Sequence, residues 1–319
     1  MELKKVVLIG GSGFVGGWIA NRLSERGVRV AIPTRHRDNS KQLILLPTVD
    51  MIETDVHDPQ ALAVLLQGAD AVINLVGTLH DHDSRAPYGK TFAAAHVELP
   101  RKILAAMRAT GVRRLVHMSA LKAAADAPSA YLRSKGEGEA LVRAANGEFA
   151  VTVFRPSVIF GPGDSFLNTF ATLLRFLPVL PLAGAAARFQ PVYVGDVADV
   201  FAACLSDPAT FGQTYELCGP KAYTLRELVD YVGQVSGHRR PLIDLPKALA
   251  ALQARLLGLL PNPPMSPDNL RSMQVDSVTD GRQNYPGWNP QPLEAVAPAY
   301  LSAVRSRLRF DSYRHRAGR

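Results

Sequence analysis

The 319-residue chain has room for one large domain or two modest ones, and its 47% apolar and 20% charged residues exclude disordered and collagen-like architectures. No apolar run approaches the roughly 20 residues of a membrane-spanning helix, and the only cysteines, Cys204 and Cys218, form no Cys-x-x-Cys pair that would point to a disulfide framework or a zinc site. The net charge of +8 is uneven: residues 305–319 hold six arginines against Asp311, a net +5, leaving +3 for the body.

The chain enters an apolar strand over 6–9 with no signal-peptide layout, so a reducing cytosolic compartment is expected. The strand runs into Gly10-Gly11-Ser12-Gly13-Phe14-Val15-Gly16, a helix follows to about 26, and a second strand spans 28–32. Further strands are expected over 50–53, 71–76, 115–118 and 151–154. Helices are expected over 58–67 (capped by Asp58, with Pro59 in its first turn), 91–110 (ended by Gly111) and 131–146. Strands separated by helices give an α/β fold with a doubly wound parallel sheet. After Gly161-Pro162-Gly163 the pattern turns irregular, then resumes over 192–194 and in a helix from Asp196. The reading is a dinucleotide-binding domain over 1–162 and a smaller C-terminal domain over 163–319, with 190–206 returning to the first. The smaller domain is expected over the sheet's carboxyl edge, where such folds bind ligands.

A glycine triplet between strand and helix has a mechanical meaning: Gly10 for the tight turn, Gly13 for backbone approach to a pyrophosphate, Gly16 for close packing of helix on strand. Its Gly-x-x-Gly-x-x-Gly spacing departs from the standard fingerprint. The end of the second strand reads Pro33-Thr34-Arg35-His36-Arg37 with no acid until Asp38. Arg35 and Arg37 there favour the 2′-phosphate of NADP(H) over the free ribose of NAD(H).

Tyr131 and Lys135 sit at i and i+4 on one helical face. The lysine can lower the tyrosine's pKa and hydrogen-bond a nicotinamide ribose, while the tyrosine exchanges a proton with a carbonyl or alcohol. His80-Asp81-His82-Asp83 is read as a solvated loop rather than a metal cluster, since adjacent residues on a loop rarely converge.

Together with Asp55-Val56, Leu75-Val76-Gly77 and the segment from Arg155 through Pro156, Ser157 and Val158 to Pro162, these motifs make the chain resemble the short-chain dehydrogenase/reductase superfamily, in its extended and atypical branches. The resemblance implies a Rossmann-like sheet, a cofactor held along these motifs, and the 155–162 segment against the nicotinamide. Within those branches the chain is most similar to the NADPH-binding accessory subunits of respiratory complex I and their bacterial relatives, through residues 117–121, 189–198 and 266–278. Two departures stand out. Extended dehydrogenases carry a catalytic Ser or Thr past the fifth strand, where this chain has Ser119 at the strand end, followed by Ala120 and Leu121. Where relatives read Asn-Val, this chain reads His96-Val97, and His96 is read as a packing residue bridging buried backbone or water.

Two functions follow: an NADPH-binding accessory to a membrane respiratory or quinone system, or an active NADP-dependent oxidoreductase, epimerase or dehydratase working through Tyr131, Lys135 and Ser119. The substrate is not legible, and no nucleic-acid recognition motif is present. Leu249, Leu252, Leu256, Leu259 and Leu260 make one stripe over 247–260 that either packs against the small domain or lies in a membrane interface. With the basic tail, it leads to an expected peripheral association with an acidic inner-membrane surface or a respiratory partner.

Overall fold

The computed structural model describes residues 3–81, 83, 86–260 and 263–302. The basic tail and His82 lie outside the described residues. The described residues divide into two compact units, one within 3–156, 194–217 and 279–286, the other within 157–193, 218–278 and 287–302.

The first unit opens with β1 (Lys5–Ile9), whose Val6, Val7, Leu8 and Ile9 are fully buried, as in a parallel strand covered on both faces. It continues through α1 (Phe14–Glu25), β2 (Arg29–Thr34), a 3-10 segment Arg37–Leu45, β3 (Val49–Glu53), α2 (Pro59–Leu66) and β4 (Ala71–Asn74). Asp58 caps α2 by accepting the Gln60 N–H, with Pro59 in the first turn. Then come α3 (Lys90–Phe92), a π-helical stretch Ala93–Glu98, α4 (Leu99–Thr110) ended by Gly111 at φ +77°, β5 (Arg114–Met118), α5 (Ala130–Ala144) capped by Ser129, and β6 (Ala150–Pro156).

The single helix expected over 91–110 is therefore broken. A Cβ on Gly138 of α5 would fall 1.8 Å from the His96 carbonyl oxygen, so the π stretch bulges into space that only a glycine leaves free. Such one-turn bulges recur where a helix must present a side chain off its regular register.

In the second unit the expected irregularity after 163 is corrected. Residues Phe166–Phe176 form a helix, α6, burying Leu167 and Leu174. Four short strands precede and follow it: β7 (Ile159–Phe160), β8 (Leu180–Leu182), β9 (Arg188–Phe189) and β10 (Val192–Tyr193), with β7 and β10 paired in parallel. The first unit then takes the chain back in α7 (Val194–Cys204) and β11 (Thr214–Leu217). Its sheet is wholly parallel, in the order β11-β6-β5-β4-β1-β2-β3. Winding reverses between β1 and β4, the switch point at which open α/β sheets bind ligands.

The rest of the second unit holds β12 (Tyr223–Thr224), α8 (Leu225–Ser236), β13 (Leu242–Asp244), α9 (Lys247–Leu257) and α10 (Pro267–Ser272). Thr224 and Glu227 form a capping box on α8. Its core gathers Phe160, Leu167, Leu180, Leu225, Leu228 and Val232. The leucine stripe is not buried: α9 turns Ala250 and Ala254 inward and leaves Leu249, Leu252 and Leu256 exposed.

The close approach at Gly138 predicts that Gly138→Ala lowers stability by about 1–3 kcal/mol, since backbone on both sides must move. Gly17→Ala, whose Cβ would meet nothing nearer than 3.7 Å in α1, should leave the melting temperature unchanged or raise it. Thermal unfolding of the two variants checks the contrast.

Candidate functional site

The turn from β1 into α1 is fixed by glycines. Gly10 has φ +84°, a region costly for any other residue, and a Cβ on Gly16 would lie 2.5 Å from the Gly11 Cα. The N–H groups of Gly11 and Gly13 donate to the carbonyls of Leu8 and Gly10, each at 3.1 Å. Gly13 is the extended N-cap residue of α1, no side chain caps the helix, and no acid stands in its first turn. The amides of Phe14 and Val15 therefore head a twelve-residue helix whose positive end is left for an anion. Ser12 is half-buried beside them.

At the carboxyl end of β2 the two arginines of the sequence reading part company. Arg37 Nε donates to the Met51 carbonyl at 3.0 Å, and its Nη2 donates to the same oxygen. Arg35 is exposed, with no hydrogen bond or ion pair among the described residues. Arg37 thus ties β2 to β3 through Nε and Nη2, while Arg35 has no such tie. Past β3, the exposed Asp55 accepts the His57 N–H at 2.9 Å, and half-buried Val56 packs on the core.

At the exit of β4, Asn74 Oδ1 accepts the Val76 N–H at 3.2 Å, and Asn74 Nδ2 donates to His117 Nδ1 at 3.2 Å. A Cβ on Gly77 would lie 3.5 Å from Lys135 Nζ and 3.6 Å from His96 Nε2. Gly77 thus brings the β4 exit against the two polar groups offered by α5 and the π stretch. His96 Nε2 accepts the Thr78 N–H at 3.0 Å, so the proton sits on Nδ1, which donates to Ser134 Oγ at 2.8 Å. Ser134 passes the chain on by donating to the Tyr131 carbonyl at 2.9 Å. The sequence reading of His96 as a bridge to buried backbone holds. Thr78 and Ser134, its partners, gave no signal of their own, being common residue types at unremarkable positions.

Tyr131 is half-buried, with its ring edge-on to His96 at 5.6 Å and to Phe92 at 6.2 Å between centroids. Burial pushes its hydroxyl up to about 12. Lys135, 3% exposed, donates from Nζ to the Met118 carbonyl at 2.8 Å; burial brings it down to about 8, opposed by Glu139. In this state the tyrosine hydroxyl is a proton donor rather than a base, and the lysine does not bring its pKa down. Burial, then Lys135 and His117, lowers His96 to about 2; burial, then Lys135, lowers His117 to about 3.

Ser119 donates its N–H to the Phe154 carbonyl at 2.8 Å, yet its hydroxyl, buried at the end of β5, has no partner among the described residues. A buried hydroxyl without a partner is costly, and Ser119 Oγ is not spent on a backbone group. Pro156 ends β6 and accepts the Leu121 N–H at 3.0 Å. Ser157 and Val158 fall in the second unit, where Ser157 Oγ donates to the Ser277 carbonyl at 3.0 Å and the Val158 carbonyl accepts the Val192 N–H at 3.0 Å. In the loop 80–83, Asp81 Oδ2 accepts the Phe92 N–H at 2.8 Å, and no metal-holding cluster occurs among the described residues.

The glycine turn, the uncapped α1 and the open Gly77 beside Lys135 fit a dinucleotide. Residues 6–218 match the NAD dependent epimerase/dehydratase family. The chain is 33% identical over 309 residues to the mouse mitochondrial NADH dehydrogenase [ubiquinone] 1 alpha subcomplex subunit 9, covering 94% of this chain and 80% of that protein. It is 30% identical over 311 residues to the 40 kDa subunit of Neurospora crassa NADH-ubiquinone oxidoreductase, covering 95% and 80%. A ceramide reductase of Caulobacter vibrioides is 29% identical over 241 residues, covering 76% of this chain and 73% of that one. In fold, the chain is similar to the dTDP-glucose 4,6-dehydratase of Streptomyces venezuelae solved with NAD and TYD bound, at TM-score 0.71 and 20% identity over 93% of this chain and 95% of that one.

Both buried histidines are held neutral, and the sign of the pH effect follows. Their native pKa values lie below the unfolded one, so the unfolded chain binds more protons once the pH drops under about 6.5, and their contribution to stability falls with it. Urea unfolding between pH 7 and pH 4 should show uptake of about two protons from this pair, and His117→Asn should remove about one of them.

Proposed function

We propose, from the premise that the chain belongs to the NAD dependent epimerase/dehydratase family, that it binds NADPH and serves as an accessory to a membrane respiratory or quinone system. The similarity to two complex I subunits over 94% and 95% of the chain carries the accessory reading, with such a complex as partner and a peripheral place at a membrane. No helix among the described residues is long and apolar enough to cross a bilayer.

In this reading Gly10, Ser12, Gly13, Phe14, Val15 and Gly16 hold the diphosphate, with the first-turn amides of α1 facing its charge. Arg35 answers the 2′-phosphate and selects NADP(H) over NAD(H). Asp55, Val56, Val76 and Gly77 line the same carboxyl edge, with Pro156 at the end of β6. When bound, the nicotinamide supplies a hydride. Lys135 holds a ribose hydroxyl near Gly77, and Tyr131 keeps its proton at neutral pH.

Catalysis remains the second reading, and Ser119 favours it. Its unpartnered hydroxyl belongs to the residue directly after Met118, whose carbonyl holds Lys135. A carbonyl oxygen accepting from Ser119 and Tyr131 together would receive the tyrosine's proton as the carbonyl carbon took up the cofactor's hydride, giving an alcohol and a tyrosine phenolate that regains its proton from solvent. The ceramide reductase among the relatives lends this reading its support.

Titration of the protein with NADPH and NADH should show tighter binding of NADPH. Arg35→Ala should weaken NADPH about tenfold or more and leave NADH nearly unchanged, whereas Arg37→Ala should lower stability without altering the preference. Equal affinity of the parent protein for both cofactors would refute the NADP(H) assignment. Tyr131→Phe should keep NADPH affinity within about twofold, and Lys135→Ala should weaken it more. If a ketone substrate drives NADPH oxidation that Tyr131→Phe abolishes, the catalytic reading replaces the accessory one.

A further inference from the structure

On α9 the usual arrangement of a surface helix is inverted. Ala250 and Ala254 are buried at 4% and 0% exposure, while Leu249, Leu252 and Leu256 stand 52%, 52% and 60% exposed. The small inward line continues at Gly258, where a Cβ would lie 3.3 Å from Pro267 Cδ at the start of α10. A helix docked on a protein core alone would put its leucines inward and its small or polar residues outward.

Neighbouring segments of the same unit extend the apolar surface. Gln253 Nε2 donates to the Pro181 carbonyl at 3.2 Å, setting α9 alongside β8. Ile243 on β13 is paired with Pro181 and is 54% exposed. The last residue of α6, Phe176, is exposed, with the Arg175 guanidinium 5.5 Å from its ring centroid. Interfacial surfaces combine such apolar Phe and Leu side chains with flanking Lys and Arg.

The charge around this face has one sign. Arg175, Arg239, Arg240, Lys247 and Arg255 have no acidic partner among the described residues. Within 231–266 the one acid, Asp244, is neutralised by Arg226. A second copy of the chain seated on this face would bring the same cations into opposition, whereas an anionic headgroup layer complements them.

We propose that this face of the second unit docks on an anionic lipid bilayer, with α9 lying in the plane of the interface and its leucines in the headgroup–acyl boundary. At eleven residues α9 is too short to span and long enough to lie flat. The inference deepens the peripheral placement proposed above and is independent of the cofactor reading, since its residues belong to the second unit and the glycine turn to the first.

Flotation of the full chain with phosphatidylglycerol-containing vesicles, and with phosphatidylcholine vesicles alone, tests it at about 0.05 M and about 0.5 M salt, across which charge screening becomes severe. The expected result is binding to anionic vesicles that partly survives high salt and persists when residues 305–319 are deleted. In the Leu252→Glu, Leu256→Glu double variant that binding should fall about tenfold or more. Because both leucines are exposed, this variant should keep the parent's melting temperature and NADPH titration, which separates failure of docking from failure of cofactor binding. Absence of flotation by the intact chain would overturn the proposal. So would binding that vanishes with the tail and ignores the leucines. A concentration-dependent dimer, dissolved by the double variant, would assign the face to a second copy and overturn it equally.

Discussion

One buried imidazole ties together the parts on which the candidate site depends. His96 takes the Thr78 amide on one nitrogen and offers the proton on the other to Ser134, which binds the carbonyl of Tyr131. Through that chain the exit of β4, the π stretch and the first turn of α5 are held in one register. The bulge exists because the helix must bring His96 to this point, and Gly138 lets α5 close over its carbonyl. Remove the bulge, and the imidazole would rotate away from Thr78. Remove the glycine, and the helix carrying Tyr131 and Lys135 would be lifted off.

The same burial that fixes this geometry sets its electrostatics. Lys135 is enclosed with two histidines and disfavours charge on both, as His117 does on His96; burial, the larger effect, leaves both histidines neutral. The ammonium is tolerated because the Met118 carbonyl accepts from it and Glu139 stands behind it. A neutral imidazole that accepts a backbone N–H has no free lone pair for proton transfer, so His96 is a positioning residue. The pocket carries a concentrated positive charge at Lys135 and an uncharged Tyr131, which suits holding a ribose as readily as reducing a carbonyl. What separates the two uses is whether a substrate oxygen reaches Ser119 and Tyr131 together, since the machinery around them is common to both.

Much of this was legible in the sequence where one local cause determines structure. The Gly10–Gly16 turn, the Asp58-Pro59 start of α2 and the Gly111 stop of α4 depend on backbone conformations or caps that few residue types provide, and each falls where it was read. The apolar runs that became β1, β4, β5 and β6 gave the parallel sheet for the same reason. Contacts remote in sequence were not legible. The π stretch answers to Gly138, some forty residues on, and the alanines around it fit any helix. The bond from Arg37 to the Met51 carbonyl is another such contact, made across the pairing of β2 with β3. Helix α6 begins just past Gly161-Pro162-Gly163, residues that signal irregular backbone, although Phe166, Phe170 and Leu173 keep helical spacing.

The leucine stripe shows why amphipathic pattern and direction of burial are separate facts. Periodicity identified the helix over 247–260, but both faces of α9 are apolar by composition, one of alanine and one of leucine, so pattern alone left the inward face open. Packing distance settles it: small residues let α9 lie close to Pro267, and the large ones are then turned outward. An outward leucine face loses the stabilisation of burial, roughly 1.5–3 kcal/mol for each side chain. A chain can carry several such residues only where close packing on the other face offsets that loss or a second apolar phase covers them. Ala250 and Ala254 offer little side-chain area of their own, so the outward Leu249, Leu252 and Leu256 are the larger apolar surface of α9, and the proposed anionic bilayer would cover them beside cations that no acid among the described residues neutralises.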